Sequence, residues 1–213
     1  MNTQPPRENM TLPLLPLRGM VVFPGTLLNF DVGRKKSAFA INEAMKADQM
    51  MFLVAQKDIR TEEPTAESFH AMGTVARIRQ LLHVSGENIK VSVEGLYRAR
   101  LCEIEREDPF FVAVVEPCAD TGRAPRAATA HALLRQAQDL VGEYTEIGPK
   151  LPEELLTEIV AGKEPGKTAD YIVSNILPQL EDKQAALEDL NPVKRLTLVL
   201  RMLSHEIEVL RLE

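Results

Sequence analysis

The stretch Ala161-Gly162-Lys163-Glu164-Pro165-Gly166-Lys167-Thr168 comes within one residue of the phosphate-cradling pattern G-x-x-x-x-G-K-T. In that motif, glycines let backbone amides close around phosphate oxygens, the lysine adds charge and the hydroxyl holds magnesium. Two conditions fail here. Ala161 stands where the first glycine belongs, and the preceding Glu153 to Val160 has helical rather than strand periodicity. Amides at such a place are not presented at the end of a sheet, so the expectation is a helix–helix connection.

Other reactive residues fail on spacing. His205-Glu206 begins like a zinc-protease helix, but Val209 occupies the position of the second histidine. His70, His83 and His131 fall on separate elements, with no ligand spacing among them and the cysteines. Cys102 and Cys118 are the only cysteines; a secreted scaffold normally carries more, so two buried thiols in a reducing cytoplasm are expected. No G-x-S-x-G elbow occurs, and no serine has an evident paired base. The residues therefore point to no catalytic and no metal site in this chain.

The elements that carry these residues divide into two grammars. At 213 residues the chain can form one large domain or two small ones, and 45% hydrophobic with 26% charged residues is globular composition. The net charge of −6 gathers mostly after Pro117, which disfavours phosphate-driven nucleic-acid binding. No apolar run approaches the ~20 residues that cross a bilayer. The polar start, Met1 to Met10, has no apolar export signal, so a cytoplasmic protein without membrane contact is expected.

Residues 1–116 read as strands. Leu12 to Leu17 is apolar but broken by Pro13 and Pro16, which suits an edge strand or a strand entry. Leu28, Phe30 and Val32 alternate with Asn29 and Asp31. One helix intervenes from about Lys35 to Asp48, with Ala38, Ile41, Ala44 and Met45 as its apolar face. Met50 to Ala55 is a buried strand. Gly73 to Val84 and Ile89 to Leu96 form a hairpin around Ser85-Gly86-Glu87-Asn88, with a bulge or bend near Gly95. Phe110 to Glu116 is the last strand.

Residues 117–125 read as a linker, and residues 126–213 as helices. Leu133, Leu134, Ala137, Leu140, Val141 and Tyr144 share one face of the first helix. A second begins near Pro152 and ends near Gly162, a third runs from Thr168 to Leu177, and a fourth from Glu181 to Leu190. Asn191 then caps a helix over about 192–213, on which Leu196, Leu200, Leu203, Ile207 and Leu210 recur as a coiled-coil-like seam. The seam lacks a stop signal at Glu213, so the helix is expected to continue in a longer parent.

Several segments in order resemble the N-terminal region of bacterial Lon, the ATP-dependent serine protease family. They are Leu14-Leu15-Pro16-Leu17-Arg18-Gly19-Met20-Val21-Val22-Phe23-Pro24-Gly25, Asp31-Val32-Gly33-Arg34-Lys35-Lys36-Ser37, Phe52-Leu53-Val54-Ala55-Gln56-Lys57 and Val91-Ser92-Val93-Glu94-Gly95-Leu96-Tyr97-Arg98-Ala99-Arg100. Gly73-Thr74-Val75-Ala76, Pro165-Gly166 with Ala169-Asp170, Leu177-Pro178 and Asp182-Lys183-Gln184 extend the likeness across the chain. The resemblance implies an α+β fold, a β-rich PUA-like subdomain followed by an α-helical bundle ending in a long helix. It implies a non-catalytic part that helps select misfolded, damaged and short-lived regulatory proteins and supports hexamer assembly. ATP and magnesium would belong to an ATPase module, and catalysis to a serine–lysine domain, neither of which lies in this sequence.

Two means of holding unfolded chains follow as expectations. One is an adaptable apolar surface from Met20, Phe23, Met50, Met51 and Met72, since thioethers fit varied side chains, with core packing as the competing fate. The other is Arg34-Lys35-Lys36, three cations at a helix start whose dipole favours negative charge, which suggests an acidic substrate segment. Arg77, Arg79, Arg98 and Arg100 raise the alternative of a nucleic-acid-binding PUA-like module with weak DNA affinity, although pairing with Glu94 or Glu103 is the plainer fate. A stand-alone relative is a further alternative, and the fragment alone could dimerise through its seam.

Overall fold

A computed structural model of the chain describes residues 5–83 and 88–212, apart from the side chain of His83. The expected turn residues Ser85, Gly86 and Glu87, and the terminal Glu213, lie outside the described residues. The chain divides into two compact units, Met1–Ala119 and Asp120–Glu213. The division falls inside the segment expected to be a linker.

The first unit is built on six strands: β1 (Met10–Leu17), β2 (Leu27–Val32), β3 (Met50–Ala55), β4 (Met72–His83), β5 (Ile89–Arg106) and β6 (Val112–Pro117), with α1 (Lys35–Lys46) between β2 and β3. The sheet order is β2-β5-β4-β3-β1-β6, and β5 also pairs with β6. That last pairing closes five strands into a ring and leaves β2 outside it, on β5. The 18-residue β5 makes this possible, because Ile89–Glu94 pairs with β2 while Ala99–Arg106 pairs with β6. Register shifts between β4 and β5 at Val75/Ala76 place the bend at the expected position.

Gly95 explains why the bend is there. A Cβ at this residue would sit 2.1 Å from the Phe23 carbonyl oxygen, so only glycine admits the loop. Gly25 N–H donates to the Gly95 carbonyl (2.8 Å) and Gly95 N–H to the Thr26 carbonyl (2.9 Å). The Thr74 hydroxyl fixes the same loop by donating to the Val22 carbonyl at 2.6 Å.

β3 is buried on both faces, as its unbroken apolar run predicts. Met51 and Leu53 join one cluster with Leu15, Val22, Ile78, Val91 and the inner face of α1. Met50, Phe52 and Val54 join the other with Leu12, Val75, Tyr97, Phe111 and Val115. Each such side chain contributes about 1.5–3 kcal/mol relative to exposure. On α1 the buried face is Ser37, Ala40, Ile41 and Ala44, whereas the expected Met45 is exposed.

β1 is not an edge strand. Met10–Pro13 pairs with β6 and Leu14–Leu17 with β3. Leu14 bridges the two, its N–H donating to the Phe111 carbonyl at 2.9 Å, and Pro13 and Pro16 fall where β1 is paired on one side, which is how they are tolerated without a backbone donor. Leu15–Leu17 keeps one open edge.

The second unit contains α2 (Ala127–Ile147), α3 (Glu153–Ala161), α4 (Pro165–Asn175), α5 (Leu180–Glu188) and α6 (Pro192–Leu210). Asn191 caps α6, its side chain accepting from the Val193 and Lys194 amides at 3.1 Å, and Pro192 is the first helical residue. α2 buries Ala137, Val141 and Tyr144 of its expected face. Part of the expected linker is structural: Thr121 N–H donates to the Leu190 carbonyl at 2.8 Å, and Asp120 reaches Arg195.

Candidate functional site

The pseudo-phosphate loop spans the connection from α3 to α4, as its helical flank predicts. Its glycines have packing duties instead. A Cβ on Gly162 would approach Thr168 Oγ1 to 2.6 Å, and one on Gly166 would approach Arg195 Nη2 to 2.6 Å. Lys167 donates to the Glu164 carboxylate at 2.6 Å on the surface. Gly166, in the first turn of α4, leaves room for the buried guanidinium of Arg195.

Arg195 is 1% exposed, and no sequence pattern singled it out. Its Nη1 donates to the Asp189 carbonyl (2.7 Å) and to Asp120 Oδ1 (3.2 Å), joining the start of the unit to α6. Nε lies 3.0 Å from Oδ1 of buried Asp170 on α4. The alignment there falls short of a hydrogen bond, so this contact is an ion pair. One side chain thus ties together α4, α6 and the segment before α2.

The α6 seam is the interior of this bundle. Leu196, Leu200, Leu203 and Ile207 are buried, which removes them from any self-association surface. Helical stability comes chiefly from such packing, and α2, α4 and α5 supply the partners. Leu210 is half-buried and lines a groove of about 660 Å³ with Tyr144, Leu151, Tyr171, Ile176 and Glu206. Burial and then the Glu206 charge push the Tyr144 hydroxyl up; burial and then Glu158 and Glu154 do the same to Tyr171.

In the first unit, the expected methionine surface does not form. Phe23, Met50, Met51 and Met72 are buried: Met50 and Met51 because β3 is covered on both faces, Phe23 in the loop between β1 and β2, and Met72 at the start of β4. Met20 alone of that set is half-buried, packing on the edge of the core. The cation cluster is divided as well. Lys36 turns to Asp108 (2.8 Å), the Glu107 carbonyl (3.2 Å) and the Phe111 ring, while Arg34 turns the opposite way. Lys35 is exposed on α1.

Arg34 Nη1 donates to Gln56 Oε1 at 2.8 Å and Nη2 to the Thr61 carbonyl at 3.3 Å. Arg18, which follows β1, donates from Nε and Nη2 to the Ile59 carbonyl at 3.0 and 2.8 Å. Both guanidiniums hold one loop. Burial, then the like charge of Arg18, lowers the Arg34 pKa, against the pull of Glu62. A groove of about 310 Å³ opens beside them, with Leu15, Leu17 and Met20 on one wall and Phe30 and Val32 on the other. The sequence carries no pattern that marks Arg18 or Ser37 for this place: Ser37 stands in the first turn of α1 beside Arg34, and Arg18 joins them only through where β1 ends relative to α1.

The arginine row on β4 and β5 is largely spoken for. Arg79 pairs with Glu94, and Arg100 with Glu116 at 3.0 Å rather than with Glu103. Arg98 is buried, with its guanidinium 6.0 Å from the Phe23 ring centre. The expectation of two buried cysteines is corrected: Cys102 is exposed at a β5 irregularity and Cys118 is half-buried after β6. Among the described residues, no three His, Cys, Asp or Glu side chains converge as metal ligands. No helix is long and apolar enough to cross a membrane, among the described residues.

Comparison with known proteins sets these features in a family. The family described as the ATP-dependent protease La (LON) substrate-binding domain matches residues 11–205. The Lon protease of Desulforamulus reducens is 39% identical over 206 residues, covering 97% of this chain and 25% of that protein. The Lon protease of Xanthomonas oryzae is 39% identical over 207 residues, covering 97% of this chain and 24% of that protein. The chain thus spans about a quarter of the length of these relatives. Among solved structures, the N-terminal domain of Mycobacterium avium complex Lon protease superposes with a TM-score of 0.70 at 18% identity, covering 92% of this chain and 98% of that one. A Lon N-terminal domain protein from Xanthomonas campestris gives 0.63 at 18% identity, covering 90% and 98%. These two likenesses establish the α+β fold.

Proposed function

The chain belongs to the Lon substrate-binding domain family, and from that premise we propose that it is the non-catalytic substrate-holding module of an ATP-dependent serine protease. The observation that carries this reading is the family match over residues 11–205. In this reading the chain contacts unfolded or damaged polypeptides in the cytoplasm and passes them to ATPase and proteolytic parts elsewhere in the protein. ATP and magnesium are bound by those parts, and the hexamer of the whole protease multiplies weak single-site contacts by avidity.

The chemistry of the chain supports the division of labour. The glycines of the near-phosphate loop pack closely on Thr168 and Arg195, and the loop joins two helices instead of following a strand as the phosphate-binding motif does. Half-buried Met20 and Phe30 at the groove offer apolar contacts that do not depend on a folded partner.

Fluorescence anisotropy of a labelled, reduced and carboxymethylated protein, against the same protein in native form, tests the reading. Preferential binding of the unfolded form, with no ATP or peptide hydrolysis by the chain, is expected. Equal affinity for the native form, or turnover of either substrate, would overturn it.

A further inference from the structure

The groove in the first unit lies between two open strand edges. β2 pairs only with β5 among the described strands, so its other edge presents free backbone donors and acceptors. On β1, Leu14 N–H still donates to the Phe111 carbonyl at 2.9 Å, and beyond it Leu15–Leu17 pairs with β3 and is open on its other side. Consecutive residues, 15–18 on one side and 30–33 on the other, border the groove. Side chains alternate faces along a strand, so bordering by consecutive residues means that the groove runs along the edges. An extended segment is the shape that such a gap accepts.

One end of the groove is positive and lacks an anion. Arg18 and Arg34 have no carboxylate within ion-pair distance among the described residues, and Arg18 Nη1 has no acceptor among them. The N-terminus of the 12-residue α1 joins them, with no side-chain cap from Arg34 and no acidic residue in its first turn. That terminus carries partial positive charge on unsatisfied amides. Ser37 is 5% exposed, lines the groove and has no hydrogen-bond partner for its hydroxyl among the described residues. The one carboxylate on the wall, Asp31, stands 3.9 Å from Lys90, and Glu62 acts on Arg34 through space.

We propose that this groove captures the C-terminal end of an unfolded polypeptide, its apolar side chains between the β1 and β2 edges and its α-carboxylate at Arg18, Arg34 and Ser37. The charge is complementary, and the open edge of β2 supplies main-chain pairing. The volume, about 310 Å³, is at the lower end for ligand sites and suits a chain end rather than a helix about 10 Å wide. This proposal rests on the substrate-holding reading and deepens it by naming the feature that is recognised.

The test uses the whole chain and three fluorescent peptides of one apolar hexamer sequence: a free acid, its C-terminal amide, and an amide with an internal aspartate. The free acid should bind about tenfold more tightly than either amide, the scale of one charge-assisted hydrogen bond. Arg18→Gln and Ser37→Ala should each shrink that ratio. Selectivity should weaken with salt. Equal binding of acid and amide by the unaltered chain would overturn the proposal without recourse to any variant. An aspartate-bearing amide that matched the acid would also overturn it, because a side-chain carboxylate would then suffice. If carboxymethylated unfolded protein still bound in those cases, the substrate-holding reading would stand. If neither peptides nor unfolded protein bound, both would fall.

Discussion

Removing the Arg195 guanidinium should unfold the helical unit at a temperature well below that of the intact chain. Arg195→Met keeps much of the aliphatic volume and deletes the charge. It leaves Asp170, itself buried, without its cation, and leaves the Asp189 carbonyl without the donor now at 2.7 Å. Breaking a buried ion pair from one side costs about 3–5 kcal/mol, because the remaining charge stays desolvated. Asp120 is half-exposed and can return to water, so it adds little. For a unit of about 60–100 residues, each 1 kcal/mol shifts Tm by roughly 4–8 °C, so the fall should be at least about 12 °C. The helical signal in circular dichroism reports this unit selectively, since the other unit has a single long helix. A double-mutant cycle with Asp170→Leu isolates the pair: the double variant should be more stable than the sum of the singles predicts by about 2 kcal/mol. Additive losses, or a single-variant loss under about 1 kcal/mol, would refute the reasoning.

Three further outcomes follow from the same geometry. Gly95→Ala forces a methyl to 2.1 Å from the Phe23 carbonyl and should destabilise the first unit by about 1–3 kcal/mol, read by urea denaturation. Exposed Cys102 should be alkylated by iodoacetamide before Cys118, whose thiol burial pushes up; mass spectrometry after a timed quench at neutral pH would show the reverse order if the burial is wrong. Burial and then Asp48 raise the Tyr97 pKa above its usual 10.0, so its phenol stays neutral in the fold while the unfolded chain ionises. That stability is complete below the unfolded pKa and is lost as pH rises through the folded one; urea midpoints independent of pH above 10.0 would contradict it.

Most of the fold could be read from patterning because burial enforces it. The alternation of Ile89, Val91 and Val93 specifies a strand with one apolar face and the period of Leu196, Leu200 and Leu203 a helix with one, and in the structure both faces are buried. Position in the sheet was less legible. Pro13 and Pro16 suggest an edge strand, yet β1 changes partner midway, a pairing that depends on β6 far along the chain.

The site was harder to read. Methionines at strand positions look adaptable in sequence but are consumed by the two-faced core around β3. Three adjacent cations suggest one patch, yet a helical start sends Arg34 and Lys36 to opposite acceptors. Arg18 meets Arg34 only through tertiary structure, and Ser37, although in the helical turn that Arg34 opens, carries no local signal for the groove it lines. The seam on α6 is a case where period alone is ambiguous: the same spacing serves a bundle interior or a second chain.

The most direct test of the substrate-holding account is an NMR titration of the chain with a permanently unfolded protein, using duplex DNA as the comparison. Shift changes with the unfolded protein should gather around Leu17, Met20, Phe30 and Ser37. No comparable change is expected with DNA. Shifts with DNA alone, falling steeply with salt, or silence with the unfolded protein at saturating concentration, would contradict it.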